Sequence, residues 1–271
     1  MEKYTYKQFQ AEFSNDDICL DYIFALKHPE AKQYYRVKGR KCYANPQGKQ
    51  LHPLVGTIFE KSSTSLTNWL YAIFLFSASR NGVSAKELQR QLGVTYKCAW
   101  RMANSIRKLM ESGDDMLSGT VEVDETYFGG RTKGHAEKFS KKTALMGMVE
   151  RKGRIRVKKI SDRGTRSLLD NIKATVSKDA IIMSDEFRVY AKLPKLGYES
   201  HRIKHGKRHW VRGDIHTNTI EGFWGQLKRS IRGTYHSVSP RHLQSYANEF
   251  AFRYSHRHAS LNLFHLLMER V

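Results

Sequence analysis

The sequence is poor in cysteine and in long apolar runs. Its three cysteines, Cys19, Cys42 and Cys98, stand at unrelated spacings, which argues against a disulfide framework and fits a reducing cytoplasm. The longest strongly apolar run, residues 69–76, is far too short to span a bilayer, and no charged and then apolar signal segment opens the chain. A secreted disulfide scaffold and a membrane protein are therefore not expected.

Acidic residues are scarce relative to basic ones. The 271-residue chain has 47 Lys and Arg against 26 Asp and Glu, which gives a formal net charge of +21. Such an excess is usually neutralised by a polyanion, so nucleic acid is the expected partner, ahead of an anionic membrane surface. Hydrophobic residues make up 40% of the chain, enough for the core of one large domain or of two to three small ones.

Residues 1–60 are predicted to form an arm, a short helix and a small β-ribbon. Residues 14–17 can cap the helix, and turn residues punctuate the basic stretch 31–57. A zinc site needs four ligands, and this region offers no Cys-x-x-Cys pair but only Cys19, Cys42, His28 and His52. A structural zinc is therefore not expected here.

Residues 61–112 are predicted to be a helix-turn-helix domain. A buried helix covers residues 66–76, a second begins in a capping box at residues 84–87, and a third covers residues 96–110. The third helix is predicted to bury Ala99, Trp100, Ala103 and Ile106. Any helical hairpin shares this pattern, but the net charge favours a helix that enters the major groove of DNA. The predicted DNA contacts are Lys97, Arg101, Asn104, Arg107 and Lys108.

An acidic stretch rich in Gly and Ser, residues 111–118, marks a domain boundary, after which strands predominate. Strands are predicted at residues 120–126, 143–150, 155–160 and 180–183, with a helix at residues 167–176. This order describes an α/β domain, residues 119–260, with a mixed sheet and a helical crossover. A last helix is predicted after Pro240, and residues 261–271 are predicted to be a C-terminal tail.

Acidic residues stand on two of these strands. Asp124 lies on the first strand, on the same face as Glu122, and Asp185 lies at the end of the strand that follows the crossover. Open α/β sheets place their functional sites at strand ends. The alternative is that Asp124 faces solvent and that Asp185 caps the following helix.

A basic stretch at residues 200–214 precedes the next helix and carries several histidines. We interpret it as a loop that follows the DNA backbone, because its dense Lys and Arg would repel a zinc ion. Arg208 and Arg212 of this loop are predicted DNA contacts.

Residues 217–232 are predicted to form an amphipathic helix. Its apolar stripe comprises Ile220, Phe223, Trp224, Leu227 and Ile231. Glu221 and Lys228 fall together on the flank of that stripe, with Asn218 nearby. An ordinary surface helix would show the same residues, but Glu221 completes a set of three carboxylates with Asp124 and Asp185. The same helix carries two further predicted DNA contacts, Arg229 and Arg232.

Such a carboxylate set suits phosphodiester cleavage. Two Mg²⁺ or Mn²⁺ ions about 3.5–4 Å apart neutralise charge on the attacking and leaving oxygens, and these ions prefer carboxylate ligands. We expect Asp124, Asp185 and Glu221 to hold the ions. Lys228 is expected to contact the phosphate or the flanking base as a point charge.

Three stretches resemble bacterial insertion-sequence transposases with an RNase-H-like D-D-E core, in the ISXO2-like branch akin to the eukaryotic Merlin elements. They are VEVDETYFGG at residues 121–130, MSDE at residues 183–186 and HTNTIEGFWGQLKR at residues 216–229. The likeness covers nearly the whole chain and includes residues 56–59, 69–73, 93–102 and 233–236.

The resemblance implies an endonuclease and strand transferase that binds terminal inverted repeats, nicks DNA to free 3′ hydroxyls and joins them to target DNA. It places the first two acids of the set at Asp124 and Asp185. The third falls on Glu221 or Asn218, and we prefer Glu221 on chemical grounds.

The resemblance also implies an RNase-H-like mixed sheet flanked by helices. In the family, a zinc ribbon and a helix-turn-helix precede this sheet along the chain. The paired zinc knuckles of the family are missing, so residues 1–60 are predicted to hold only a remnant of the ribbon. The implied partners are double-stranded DNA of the inverted repeats and of the target, with a dimer or higher oligomer in the DNA complex. The implied location is the bacterial cytoplasm, at the nucleoid.

Two other functions fit the same residues. A repressor or a degraded transposase would use the helix-turn-helix alone and would bind DNA without metal-dependent nicking. A structure-selective nuclease such as a resolvase would share the carboxylate chemistry but would cut branched DNA regardless of its sequence.

Overall fold

The computed structural model describes residues 4–129, 142–162, 164–203, 216–259 and 262–271. The chain divides into two units. The first combines Met1–Met110 with His258–Val271, and the second comprises Glu111–Arg257. The chain therefore leaves the first unit, forms the second and returns to complete the first. The segments predicted as 1–60, 61–112 and 261–271 all contribute to the first unit.

The first unit contains helices and one small antiparallel sheet with strand order β1-β2-β3. The sheet lies in the stretch where a β-ribbon was predicted. The elements are α1 (Tyr6–Glu12), α2 (Asp16–Lys27), β1 (Tyr35–Arg36), β2 (Tyr43–Ala44), β3 (Gln50–Leu51), α3 (Leu66–Ala78), α4 (Ala85–Leu92), α5 (Tyr96–Leu109) and α9 (Leu263–Met268). None of the helices in the described ranges of the whole chain combines the length and the apolar character that crossing a bilayer requires.

Helix α3 is buried on most of its sides because its sequence is apolar nearly throughout, as predicted. Its first turn is bound by a carboxylate from α2. Asp16 accepts hydrogen bonds from the backbone N–H groups of Leu66, at 3.0 Å, and Thr67, at 2.9 Å. These bonds satisfy donors that a helix leaves free at its N-terminus, and they fix α2 to α3.

The returning C-terminal segment is part of the core of the first unit. Phe264 and Leu267 of α9 are fully buried. The Phe264 ring stacks on Tyr4 at 5.3 Å between centroids and meets Phe13 at 5.5 Å. A segment predicted as a tail therefore supplies core side chains to helices from the opposite end of the chain.

The α4–α5 pair has the predicted corner at Gly93, which adopts a left-handed conformation with φ of 64°. Ser84 caps α4 by accepting a hydrogen bond from the N–H of Glu87 at 3.1 Å. The second half of the predicted capping box is not formed, because the Glu87 side chain instead binds Arg90 and Gln91.

The second unit is an α/β fold with a mixed five-stranded sheet of order β6-β5-β4-β7-β8. The β4–β5 and β5–β6 pairs are antiparallel, whereas β4–β7 and β7–β8 are parallel. The elements are β4 (Thr120–Phe128), β5 (Thr143–Glu150), β6 (Ile155–Ile160), α6 (Thr165–Thr175), β7 (Ile181–Ser184), β8 (Glu199–Arg202), α7 (Asn218–Ser230) and α8 (Leu243–Ser255). This arrangement is consistent with an RNase-H-like core and confirms the predicted mixed sheet.

Strand β8 lies where a loop was predicted. Its sequence, Glu199–Arg202, is polar throughout and lacks the alternation that marks a strand. Pairing with β7 forms it instead, with Ile182 opposite Ser200 and Ser184 opposite Arg202. Tertiary pairing therefore overrides local pattern at this edge of the sheet.

Each face of the sheet carries its own hydrophobic core. Val121 and Val123 of β4 pack with α6 on one face, and Leu145 and Val149 of β5 pack with α7 and α8 on the other. Since side chains alternate along a strand, Glu122 and Asp124 point to the face that α7 covers.

Candidate active site

Asp124 and Asp185 belong to neighbouring parallel strands. Val123 of β4 pairs in register with Ser184 of β7, and each aspartate is the next residue of its chain segment. In-register neighbours on parallel strands lie at the same level of the sheet, so Asp124 is placed beside Asp185, the residue that follows the end of β7. The two acids that are separated by a helical crossover in the sequence thus meet at one level of the sheet.

The surroundings of Asp124 raise the pKa of its carboxyl group. Burial raises the pKa of Asp124 from 3.8 to about 6, and the negative charges of Asp185 and Glu221 add to the increase. Hydrogen bonds from the Glu125 backbone and from Trp224 oppose it. Asp185 and Glu221 therefore both lie within electrostatic range of Asp124, although burial is the larger cause of the shift in its pKa.

Helix α7 carries Glu221 on the flank of its buried stripe. Its apolar residues are buried as the helical stripe predicted, and they include Ile220, Phe223 and Leu227. Glu221 is exposed, and its Oε1 accepts a hydrogen bond from the Thr217 hydroxyl at 3.0 Å. Asn218 is also exposed and is the first residue of the helix.

Lys228 lies two turns further along α7, and its pKa is affected by Asp124. Burial lowers the pKa of its ammonium group, the negative charge of Asp124 opposes that decrease, and Arg232 adds to it. A half-buried cation therefore stands within electrostatic range of Asp124.

Trp224 binds Asp124 directly. Its indole Nε1–H donates a hydrogen bond to Oδ2 of Asp124 at 3.0 Å, and its ring lies over Gly147, the residue opposite Asp124 on β5. A Cβ atom at Gly147 would come within 2.5 Å of Trp224 Cζ2 and 2.7 Å of Ile220 Cδ1. The absence of a side chain at Gly147 therefore allows α7 to approach the strand that carries Asp124.

Residues 116–255, slightly more than half of the chain, match the family model described as the ISXO2-like transposase domain. The chain belongs to the ISXO2-like transposase family. The matched range includes all three acids and Lys228, and it covers nearly the whole second unit.

Two relatives agree with this assignment. The chain is 26% identical over 216 residues to an uncharacterized protein in transposable element ISH50 of Halobacterium salinarum, a match that covers 73% of this chain and 72% of that protein. It is 28% identical over 89 residues to an uncharacterized transposase-like protein of Haemophilus influenzae, covering 33% of this chain and 71% of that relative.

The three acids of this site are candidate metal ligands. Among the described residues, no group of three His, Cys, Asp or Glu side chains is arranged to hold a metal ion. Asp124, Asp185 and Glu221 nevertheless offer hard oxygen ligands, which Mg²⁺ and Mn²⁺ prefer. A divalent cation bound there would place positive charge beside Asp124, whose pKa is raised mainly by burial and further by the charges of Asp185 and Glu221. The chemistry of these three side chains therefore suits the ions that the family resemblance implies, although they do not form a metal site among the described residues.

Replacing Gly147 by Ala is expected to destabilise the second unit by about 1–3 kcal/mol, because the new methyl group overpacks the contact with Trp224 and Ile220. Chemical denaturation measures the change. Gly222→Ala on α7 is the matched control, since a Cβ there meets nothing within 4 Å and alanine favours a helix by about 0.5–1 kcal/mol. Equal effects of the two substitutions would contradict the close approach of α7.

Glu122 is the acid that the sequence did not identify as part of the site. It is fully buried on β4, and its carboxylate accepts hydrogen bonds from Thr219 and Ile220 in the first turn of α7. The alternation of β4 placed Glu122 on the face of Asp124, but strand periodicity cannot tell a solvent-facing acid from a buried one. The sequence offered no signal for this burial, because the hydrogen-bond partners of Glu122 come from α7, almost a hundred residues later.

The basic face of α5 is only partly as predicted. Lys97, Arg101 and Lys108 are exposed and Asn104 is half-buried. Arg107 was predicted to face outward, which is wrong. It is 1% exposed, donates a hydrogen bond to the Val83 carbonyl oxygen at 3.3 Å and places its guanidinium 5.2 Å from the centre of the Phe76 ring.

Trp100 was predicted to be buried, which is also wrong. It is 37% exposed, and Tyr96, one turn earlier on α5, is 47% exposed. The buried stripe of α5 instead uses Ala99, Met102, Ala103, Ile106 and Arg107. Two aromatic rings therefore accompany Lys97 and Arg101 on the outer surface of this helix.

The remaining predicted DNA contacts lie in the second unit. Arg229 and Arg232 are exposed at the end of α7 and in the π-helical turn that follows it. Arg208 and Arg212 lie outside the described residues.

Proposed function

We propose that this chain is a DNA transposase that binds the terminal inverted repeats of its element, cleaves the phosphodiester backbone with divalent metal ions and joins the freed ends to target DNA. The observation that carries the proposal is the position of Asp124 beside Asp185 in the sheet, with Glu221 of α7 also within electrostatic range of Asp124. Membership of the transposase family supports the same conclusion.

We assign Asp124, Asp185 and Glu221 as the residues that would hold Mg²⁺ or Mn²⁺. When bound there, these ions would neutralise charge on the attacking and leaving oxygens of the scissile phosphate. Lys228 would contact a phosphate oxygen as a point charge. Trp224 would fix the orientation of Asp124, since a hydrogen bond to one carboxylate oxygen restricts rotation of the group.

Glu221 is a better third ligand than Asn218. Its charge acts on Asp124, whereas an asparagine amide contributes no charge to a divalent site. The hydrogen bond from Thr217 limits the positions that its carboxylate can take. The proposal therefore predicts a larger loss of cleavage for Glu221→Gln than for Asn218→Ala.

The test is cleavage of labelled duplexes that carry the ends of the element. We expect Mg²⁺- or Mn²⁺-dependent nicking at the end of the repeat, lost by about a thousandfold in Asp185→Asn because several kcal/mol of charge stabilisation disappear. The same assay ranks Glu221→Gln and Asn218→Ala. Binding without nicking would favour a DNA-binding protein that is not an enzyme, and cleavage of branched DNA of any sequence would favour a structure-selective nuclease.

We also propose that α4 and α5 form a helix-turn-helix that reads the element ends. The exposed face of α5 combines cations with two aromatic rings, and charged residues of this kind contact phosphates while rings contact base edges or methyl groups. Lys86 adds to the same surface, with its Nζ 5.2 Å from the centre of the Tyr96 ring.

Replacing Lys97 by Ala is expected to weaken binding about equally on all duplexes and to reduce the slope of log affinity against log salt by about one unit, as loss of one phosphate contact requires. Fluorescence anisotropy at several salt concentrations measures both quantities. The control is Lys173→Ala, which removes a cation from α6 of the other unit. An unchanged slope for Lys97→Ala would exclude α5 as a DNA contact at this position.

A further inference from the structure

Glu122 joins the strand of Asp124 to the helix of Glu221. Its Oε2 accepts hydrogen bonds from the backbone N–H groups of Thr219, at 2.8 Å, and Ile220, at 3.0 Å. Its Oε1 accepts a hydrogen bond from the Thr219 hydroxyl at 2.8 Å. Both carboxylate oxygens of Glu122 therefore accept hydrogen bonds from the first turn of α7.

A second set of contacts compensates the charge of Glu122. Arg151, in the turn between β5 and β6, donates from Nε to Oε1 at 2.8 Å and from Nη2 to the His216 carbonyl oxygen at 2.9 Å. His216 Nδ1 lies 3.3 Å from the same Oε1. The segment that leads into α7 is thus held by the same group of residues.

The start of α7 has no capping side chain of its own. Thr217 precedes the helix, and its hydroxyl donates to the Glu221 side chain but accepts no hydrogen bond from a backbone N–H of the first turn. The free N–H groups of a helix N-terminus attract a carboxylate through both hydrogen bonds and the helix dipole. Because Glu122 comes from β4, this capping interaction also fixes where α7 begins relative to the sheet.

The chain distances around this contact are short. Glu122 is two residues from Asp124 on one face of β4, and Ile220, whose N–H it binds, is the residue before Glu221. A shift of the first turn of α7 would therefore move Glu221 relative to Asp124 directly. A displacement of about 1 Å in a catalytic group can reduce a rate about a hundredfold.

We infer that Glu122 is a positioning residue that sets Glu221 and Lys228 against Asp124 by capping α7 from the strand. The inference rests on the proposed function for its catalytic consequence. Its structural part, control of the first turn of α7 by Glu122, does not depend on that function.

The test compares Glu122→Gln with Glu150→Gln in the full-length chain. A glutamine at position 122 keeps one acceptor oxygen. In place of the other oxygen it has an NH₂ group, which cannot accept the hydrogen bonds that this oxygen accepts in the unchanged chain. Glu150 is the matched control, since it lies opposite Val121 in the same sheet. It also accepts hydrogen bonds from the N–H groups of Ser118 and Arg154, at 2.8 and 3.0 Å, and neither residue belongs to α7.

Three quantities are measured for both variants. They are the thermal midpoint, the hydrogen exchange of the Thr219, Ile220 and Glu221 amides, and the kcat and KM for metal-dependent cleavage of element-end duplexes. We expect Glu122→Gln to lower kcat at least tenfold with KM within twofold, and to increase exchange of the three amides at least tenfold. Glu150→Gln should change neither kcat nor these amides by more than twofold.

The two parts of the test fail in different ways. If the unchanged chain cleaves no duplex but Glu122→Gln still deprotects the three amides, the proposed function fails while control of α7 by Glu122 stands. Equal kcat in Glu122→Gln and Glu150→Gln at a similar thermal midpoint, or amide exchange that is the same in both, would overturn the inference.

Discussion

Asp124→Asn is expected to abolish metal-dependent cleavage and, at the same time, to raise the stability of the second unit at pH 7. The loss of cleavage should be about a thousandfold or more, since the substitution removes a charged ligand from the site. The gain in stability should reach up to about 3 kcal/mol, because the pKa of Asp124 lies about two units above its usual value.

The sign follows from the direction of the pKa shift. Asp124 binds its proton more tightly in the folded chain, where its pKa is about 6, than in the unfolded chain, where it is 3.8. The protonated carboxyl thus favours folding below pH 3.8, and this contribution is lost as the pH rises through about 6. A neutral asparagine carries no such cost and can still accept the hydrogen bond of Trp224. Its advantage should shrink as the pH falls towards 4.

Thermal unfolding of Asp124→Asn at pH 7.5 and pH 4.5 measures this pattern. Asp170→Asn is the control, because Asp170 is exposed on α6 and pairs with the surface cations Arg166 and Lys173, so its effect should be small. Added Mg²⁺ should raise the midpoint of the unchanged chain more than that of Asp124→Asn. A lower midpoint for Asp124→Asn at pH 7.5 would show that the charge of Asp124 is already compensated.

The parts of the site that could be predicted from the sequence are those that periodicity decides. A stripe of apolar residues identified the buried side of α7 and, with it, the flank that carries Glu221 and Lys228. Alternation along β4 identified the face of Asp124. Both rules concern one element at a time, and each gives the direction of a side chain without its partner.

The errors arose where a partner decides the outcome. Arg107 lies on the edge of the buried stripe of α5, and its long side chain is buried because Phe76 and the Val83 carbonyl oxygen accept it. Glu122 is buried because its carboxylate accepts hydrogen bonds from the N–H groups that the first turn of α7 leaves free. That turn lies almost a hundred residues later in the sequence. The sequence pattern of a single helix or strand predicts neither the burial of Arg107 nor that of Glu122.

Removing the side chain of Phe264 is expected to destabilise the first unit by about 3–5 kcal/mol, the usual cost of truncating a buried phenylalanine. Domains are often stable by only about 5–15 kcal/mol, so Phe264→Ala alone should shift the first unit close to unfolding. Deleting residues 258–271 would also remove Leu267 and Met268, which are 0% and 2% exposed, and should leave the first unit unfolded at 37 °C.

The second unit has cores of its own and should remain folded in both variants. Calorimetry of Phe264→Ala should therefore show one transition shifted far down and another nearly unchanged, with DNA binding through α5 lost before the sheet unfolds. Glu269→Ala is the control, because its side chain is exposed next to the same helix. A uniform shift of all transitions, or equal effects at positions 264 and 269, would contradict a first unit that depends on the returning end of the chain. That dependence would also mean that a ribosome must complete the second unit before the first unit can fold, because α9 follows Arg257 in synthesis.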